Sequence, residues 1–330
     1  MKQISSAFVV CVSLFSPSVL AYNAGSISFS MDNDGIVGTD QNYTNGVFLE
    51  FNSAATPMLE IMAPTPIRQI ATLLPLDNST QKGWNFRIGQ QMWTPEDIES
   101  TEPIADERPY AGLLFFESGI YQYSPSVVDK YRLMVGTVGP SAMTEKTQKF
   151  IHSIIGSDKP MGWDYQIKDQ AIFNLGYEGH RLLKREATSM AQEYDFSGIG
   201  RVNVGNYQSE AAIGGVFRWG SNLASSLGTT GFTPGKFVDV SVLSSSSTGY
   251  FFFTGIEGRY RYNDITIDGD KPEGVPETNV EHWQATAVMG GIYYQQNWGV
   301  SLTFATNTPE FKEDSHSSNS NGSLNLFWRL

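Results

Sequence analysis

Asp32-Asn33-Asp34 is followed by Gly38-Thr39-Asp40 and Tyr43-Thr44-Asn45-Gly46, so carboxylates, amides and hydroxyls crowd one short stretch. Oxygen donors of this kind suit a hard cation such as Ca²⁺. The same residue types build ordinary hydrophilic hairpin loops, and the stretch alone does not separate the two readings. Far along the chain, His152 lies between Ile151 and Ile154. An imidazole beside such a cluster can take a proton from water. A bound cation can polarise a carbonyl and hold the developing oxyanion. Together these are the minimum for calcium-assisted hydrolysis. No Gly-x-Ser-x-Gly elbow supports a serine nucleophile. Zinc is disfavoured, because there is no His-Glu-x-x-His and the one cysteine is Cys11. The other histidines are weaker candidates: His180 reads as an inward strand residue, His282 begins a strand, and His316 sits in a Ser/Asn-rich loop.

These residues must be positioned by strands. Ile27, Phe29 and Met31 alternate with polar residues before the oxygen-rich stretch, and Val47, Leu49 and Phe51 alternate after it. Period two is the signature of a strand with chemically different faces. The pattern repeats in about twelve segments: 24–33, 43–53, 83–93, 109–122, 129–138, 166–184, 187–205, 209–221, 248–263, 281–296, 298–308 and 320–330. A soluble sandwich also alternates. Its core would not accept the unpaired charges found opposite the apolar face (Arg87, Glu178, Arg218, Glu257, Arg259), whereas a polar barrel lumen does. Long strands with Tyr and Trp near their ends fit the girdles of a membrane barrel. Leu324, Leu326, Trp328 and Leu330 share one face of a final strand that looks like the assembly signal of bacterial outer-membrane barrels. The expected fold is all-β, a closed antiparallel transmembrane barrel of about twelve strands. The spans 54–82 and 222–247 are long for inner-side turns, and Lys236 to Leu243 could form an extra strand.

Counting parity orients the loops. With both chain ends on the periplasmic side, 34–42, 94–108, 139–165 and 264–280 open outward, and His152 shares a rim with Asn33, Asp34 and Thr44. The segment from Pro140 to Gly156 reads as a helix, with Pro140 or Ser141 as its start and Gly156 as its stop. Phe150, Ile151, Ile154 and Ile155 form an apolar stripe, expected to lie on the barrel wall or the outer leaflet.

Composition agrees. Aromatic residues are abundant (Phe 20, Tyr 15, Trp 7) beside 32 glycines. The formal charge of −12 disfavours nucleic acid and fits divalent cations. Met1-Lys2-Gln3, the apolar run Ala7 to Leu14 and Ser18-Val19-Leu20-Ala21 read as a signal peptide, 1–21, removed after Ala21. Residues 22–330 then form a single barrel domain without disulfides, for which a monomer is the simplest state.

The motifs Asn33-Asp34, Gly38-Thr39-Asp40, Tyr43-Thr44-Asn45-Gly46, Thr94-Pro95-Glu96-Asp97, Arg108-Pro109-Tyr110-Ala111-Gly112, Val138-Gly139-Pro140, His152, Ile155-Gly156 and Gly162-Trp163 occur in this order. Taken together they resemble the outer-membrane lipid A 3′-O-deacylases, which remove the 3′ acyloxyacyl chain of lipid A. The resemblance implies an integral outer-membrane enzyme with its site facing the exterior, between the barrel's outer wall and a loop helix. It implies lipid A, or lipopolysaccharide, as substrate and Ca²⁺ as oxyanion partner. By position, His152 is the general base, Asn33 and Asp34 place the calcium or orient the base, and Thr44 lines the site. Members also carry a lysine shortly after the Thr-Pro of the second outer loop. Here no lysine occurs between Lys82 and Lys130; Ser100 stands near that position, and Arg108 is the only cation in the loop. Arg108 is thus a candidate substrate contact, or else a strand-start anchor at the membrane interface. Two other readings remain from the residues themselves: a calcium-dependent phospholipase-type hydrolase, and a non-catalytic barrel serving as channel or adhesin.

Overall fold

The computed structural model describes residues 25–37, 42–188, 192–245 and 248–330. The signal-peptide expectation and Gly38-Thr39-Asp40 lie outside the described residues. Twelve antiparallel strands close into a barrel in which each pairs with its sequence neighbours, and β1 pairs with β12 from Ser26↔Arg329 to Asn33↔Gly322. The strands are β1 Ser26–Asn33, β2 Asn42–Asn52, β3 Gln81–Thr94, β4 Ala111–Tyr123, β5 Val127–Val138 and β6 Gln170–Ala187. They continue with β7 Glu193–Gly205, β8 Gln208–Gly220, β9 Gly249–Asp264, β10 Trp283–Tyr294, β11 Trp298–Asn307 and β12 Asn319–Arg329. All twelve expected strands are present, with ends shifted by a few residues.

Alternation decides which side chain meets which medium. Leu49, Ile88, Ile213, Ile256 and Leu302 are exposed on the outer face. Inward residues carry charge and pair between nearby strands along the lumenal wall: Arg218 with Asp195 at 2.6 Å, Arg201 with Glu257 at 2.6 Å, and Arg261 with Glu210 at 3.0 Å. Burying such groups is costly unless each finds a partner. An outward apolar face over a charged lumen is the reverse of a water-soluble barrel and suits a lipid surround.

The two long inner-side connections are not simple turns. After β2, helices α1 (Leu59–Met62) and α2 (Thr65–Ala71) fold back onto the wall. Leu59, Ala63, Ile67 and Ala71 pack on the outward residues Phe51, Trp84 and Ile120.

The segment 222–245 enters the lumen. Phe232, Phe237, Val238, Val240 and Leu243 form an apolar core with the inward residues Val216, Phe251, Phe253, Ile292 and Phe327. The alternation of Lys236 to Leu243 does not make a strand. The segment bridges only at Thr230↔Val238, then coils into a 3-10 turn over Val240–Ser245. The closed wall leaves no edge to pair with, so its apolar residues turn against inward side chains instead. Polar anchors hold this plug: Lys130 Nζ donates to Asp239 (2.7 Å) and to the Gly228 carbonyl (2.6 Å), and Lys236 pairs with Glu117. The tip, Thr233 to Lys236, closes with a 2.8 Å bond from Lys236 N to Thr233 O. It reaches the level of Asp32 near the far rim, where the Gly235 amide donates to the Asp32 carboxylate.

Candidate active site on the outer wall

The ends of β1, β3 and β5 and the starts of β2, β4 and β6 meet at one rim, as the register Asn33↔Asn45, Thr94↔Asn42 and Val138↔Leu113 shows. Asn33, Asp34, Thr44, Arg108 and His152 therefore belong to the same end of the barrel. Asn33 is the last residue of β1 and lies in phase with the outward residues Phe29 and Met31. Its Nδ2 donates to the Thr44 carbonyl at 3.0 Å. A register shift between Tyr43 and Asn45 marks a bulge at Thr44. The Thr44 hydroxyl shares a 2.8 Å hydrogen bond with that of Thr94. Asp34 opens a 3-10 turn, Asp34–Val37, is 2% exposed, and accepts from the Gly35 amide at 2.8 Å.

The helix expected over 140–156 is present. Pro140–Ala142 forms a 3-10 turn and α3 spans Thr144–Ile155. Asp169 tethers its start, accepting from Ser141 N (2.7 Å) and Ser141 Oγ (2.9 Å). Gly156, at φ 75°, ends it; the amides of Gly156 and Ser157 both donate to the His152 carbonyl. The helix packs on β3 and β4. Gln90, outward on β3, donates to the Ala142 carbonyl at 2.7 Å. Gly112 on β4 receives Thr144 so closely that a Cβ there would fall on the Thr144 hydroxyl.

Which face α3 turns inward corrects one side of the sequence expectation. The apolar stripe does not lie on the wall: Phe150 and Ile154 are 65% and 67% exposed. The buried face is polar, with Thr144 at 1% and Gln148 at 2%. His152, one turn beyond Gln148, lies on the same face and is half-buried. Gln148 Oε1 accepts from the Trp163 indole at 2.7 Å, and Trp163 packs between Met92 and Tyr110. Among the described residues, Gln148 Nε2 and Thr144 Oγ1 are buried without a hydrogen-bond partner. Leaving such a group unpaired costs about 1–3 kcal/mol. Gln148 was not singled out in the sequence; its i, i+4 spacing to His152 is the signal that could have found it.

The geometry also fixes which ring nitrogen is basic. His152 Nδ1 stands 2.5 Å from the Asp158 carbonyl oxygen. A carbonyl only accepts, so Nδ1 carries the hydrogen and Nε2 holds the lone pair. No hydrogen bond joins His152 directly to Asn33 or Asp34 among the described residues. Between them lies a run of the outer wall: Asn33 to Thr44, Thr44 to Thr94, then Met92 against Trp163, and Trp163 to Gln148 on α3.

Arg108 stands apart from this surface. It is 2% exposed, pairs with Glu310, donates to Thr266 Oγ1 at 2.8 Å, and lies 5.4 Å above the Trp93 ring. It lines a lumenal cavity of about 110 Å³ together with Arg261, Asp264 and the plug residue Pro234. A direct substrate contact would require that ion pair to open. The remaining histidines have structural partners: His180 is buried in the lumen against Glu178 at 2.8 Å, His282 bonds the Arg261 carbonyl at 2.7 Å just before β10, and His316 bonds Asp314 at 3.1 Å.

A closed twelve-stranded barrel, apolar outside and charged within, with a helix laid polar-side-down on its outer wall, defines the class of outer-membrane β-barrel proteins. Within that class, residues 6–330 match the family model described as outer membrane protein LpxR, and the chain belongs to that family. Among solved structures it is similar to LpxR from Salmonella typhimurium, at 16% identity over 92% of this chain and 100% of that one, with a TM-score of 0.78. The β domain of the Bordetella autotransporter BrkA aligns over 93% of this chain and 98% of that one at 6% identity, with a TM-score of 0.42. A Pseudomonas putida outer membrane channel aligns over 94% and 98% at 8% identity, also with 0.42. No curated protein sequence matches.

Proposed function

We propose that the chain is a calcium-dependent ester hydrolase that removes the 3′ acyloxyacyl chain of lipid A in the outer leaflet, with His152 as general base. Family membership supports the lipid A reading. The observation that carries the chemistry is the inverted helix: α3 buries Thr144 and Gln148 against the wall, keeps His152 half-buried on that same face, and offers Phe150 and Ile154 to the surroundings. Lipid chains match that outer stripe, and an ester held beneath the helix meets polar groups shielded from bulk water. His152 Nε2 takes the proton of an attacking water. Gln148 Nε2, an unpaired donor one turn away, is suited to the ester's carbonyl oxygen. Thr44 lines the same face of the wall.

The donor chemistry around β1 fits Ca²⁺. Asn33 spends its Nδ2 on Thr44, which turns Oδ1 toward Gly35, and Asp34 adds a buried carboxylate. Among the described residues no group of three His, Cys, Asp or Glu side chains stands together, so backbone carbonyls, water and substrate would complete the shell. Bound there, calcium would supply a fixed positive charge for the oxyanion. Loop parity supports an exterior-facing site, because the start of β1 and the end of β12 lie at the opposite rim.

Filling of the lumen by the plug speaks against a channel. The test is hydrolysis by the purified, folded barrel of lipopolysaccharide and of phospholipid vesicles, each with calcium and with chelator. Calcium-dependent release of the acyloxyacyl group from lipopolysaccharide supports the proposal. Release from phospholipid alone moves the activity to a phospholipase, and release from neither removes the enzyme reading.

A further inference from the structure

Two chains of side-chain contacts cross β1, β2 and β3 at the same level, one on each face of the wall. On the outer face, Asn33 bonds the backbone of Thr44, and Thr44 bonds Thr94. On the lumenal face, Asp32 and Tyr43, the residues immediately before Asn33 and Thr44, do the same with Gln91 of β3. The Tyr43 hydroxyl donates to Asp32 Oδ2 at 3.2 Å, and Gln91 Nε2 donates to the Tyr43 hydroxyl at 3.1 Å. Asp32 also accepts the amide of Gly235 at the plug tip.

The plug tip has one seat. Gly235 has φ +70°, and a Cβ on it would run into Phe48 and the Arg87 guanidinium. Arg87 Nη2 donates to the Gly235 carbonyl at 2.6 Å. The peptide of Gly235 is therefore held on both sides, by Asp32 through its amide and by Arg87 through its carbonyl. The tip in turn rides on a plug anchored by the Lys236–Glu117 and Lys130–Asp239 pairs. A load-carrying path runs from the opposite end of the barrel, through the lumen, to the strand position before Asn33.

We infer that Asp32, with Tyr43 and Gly235, is a positioning residue for the reaction on the other side of the wall. Strand ends fray when nothing holds them. β1 ends at Asn33, one residue beyond Asp32, and β2 starts one residue before Tyr43. Alternation puts Asp32 in the lumen and Asn33 outside, so fixing the carboxylate fixes the amide behind it. Tyr43 does the same for Thr44, the bulged residue that follows it. None of the three touches substrate. The inference rests on the proposed hydrolase reading only for its catalytic consequence; the bracing itself is a property of the strand ends.

The experiment compares Asp32→Ala, Asp32→Asn and Tyr43→Phe with the unaltered protein, each first shown to be folded by its heat-modifiable migration on gels. Ser28→Ala, an inward change four residues down β1, is the control. Two quantities are read: hydrogen exchange of the amides in 33–37 and 43–45, and kcat and KM for lipid A deacylation. Asp32→Ala and Tyr43→Phe should speed exchange there and lower kcat by about tenfold or more, with KM nearly unchanged, as misplaced catalytic groups do. Asp32→Asn keeps an acceptor for Gly235 N and should recover most of both. Exchange equal to the unaltered protein in Asp32→Ala overturns the inference. So does faster exchange with kcat untouched, or an equal loss in the Ser28→Ala control. Should Asp32→Ala fail to fold, Gly235→Ala moves the tip without altering β1 and is held to the same two readings. If His152→Ala retains full activity, the hydrolase reading fails, and the exchange measurement alone decides the bracing.

Discussion

The indole of Trp163 donates to the side-chain carbonyl of Gln148 at 2.7 Å and, with Thr144 seated on Gly112, holds the polar face of α3 against the barrel wall. Trp163 is itself held against Tyr110, with ring centroids 4.8 Å apart. Gln148 points inward because the indole demands it, and His152 follows one turn later on the same face.

Removing that bond should loosen the helix without unfolding the barrel. Trp163→Phe keeps most of the packing and loses the donor, worth about 1 kcal/mol. Deacylation by Trp163→Phe is expected to fall roughly fivefold to tenfold, as a loss of that size converts to rate. Folded-barrel migration on gels should be unaltered.

Gly112 offers a steric test of the same interface. Gly112→Val places a branched side chain where Thr144 sits and pushes α3 away from β4. Activity should drop by about a hundredfold while the strand ladder survives. Protease sensitivity of 143–157 should rise, since α3 then keeps its lipid-facing stripe but loses its seat.

Histidine and calcium roles separate in kinetics. His152→Ala should lower kcat by about 10²- to 10⁴-fold at any calcium concentration. Asp34→Asn keeps the size and the acceptor for Gly35 N but removes a charge from the proposed shell. It should raise the calcium needed for half-maximal rate by about tenfold or more, with partial recovery at high calcium. A calcium dependence unchanged in Asp34→Asn would separate that carboxylate from the metal.

One pH effect follows from the second outer loop. Burial raises the Glu107 carboxyl above its ordinary value, the amides of Glu96 and Asp97 pull it down, and the neighbouring Glu96 and Asp97 charges raise it further. The folded loop therefore holds the proton more tightly than the open loop does. Its stability is greatest at acid pH and declines as pH rises through the folded-state value. Protection of the amides across 95–110, measured against their intrinsic exchange rates, should fall as pH rises above the ordinary glutamate range, and Glu107→Gln should flatten that slope.

Strands were legible because the two faces of a barrel meet different media, and every second residue records which. The stop of helix α3 was legible from Gly156, whose backbone demand does not depend on surroundings, whereas Pro140, expected to start it, opens the 3-10 turn before it and α3 begins at Thr144. The orientation of the helix was not legible. An amphipathic pattern shows two faces, and assigning the apolar one to the protein assumes water on the other side. Beside lipid the assignment inverts, and Phe150 and Ile154 turn outward. The plug was hidden for a related reason: the alternation of Lys236 to Leu243 looks like a strand until the wall is known to be closed. Arg108 carries a charge that reads as a surface contact, but Glu310, some two hundred residues on, draws it into the lumen. Gln148 left only its i, i+4 spacing to His152, and a neutral amide in a helix draws no notice until its partner Trp163 is located.

The most direct measurement is the lipid A mass spectrum of cells expressing the unaltered chain beside cells expressing His152→Ala at equal levels of folded barrel. The expected result is lipid A lighter by one acyloxyacyl group in the first and full-length lipid A in the second. Identical spectra from the two, whether both shortened or both intact, would contradict the assignment of His152 as the base of a lipid A deacylase.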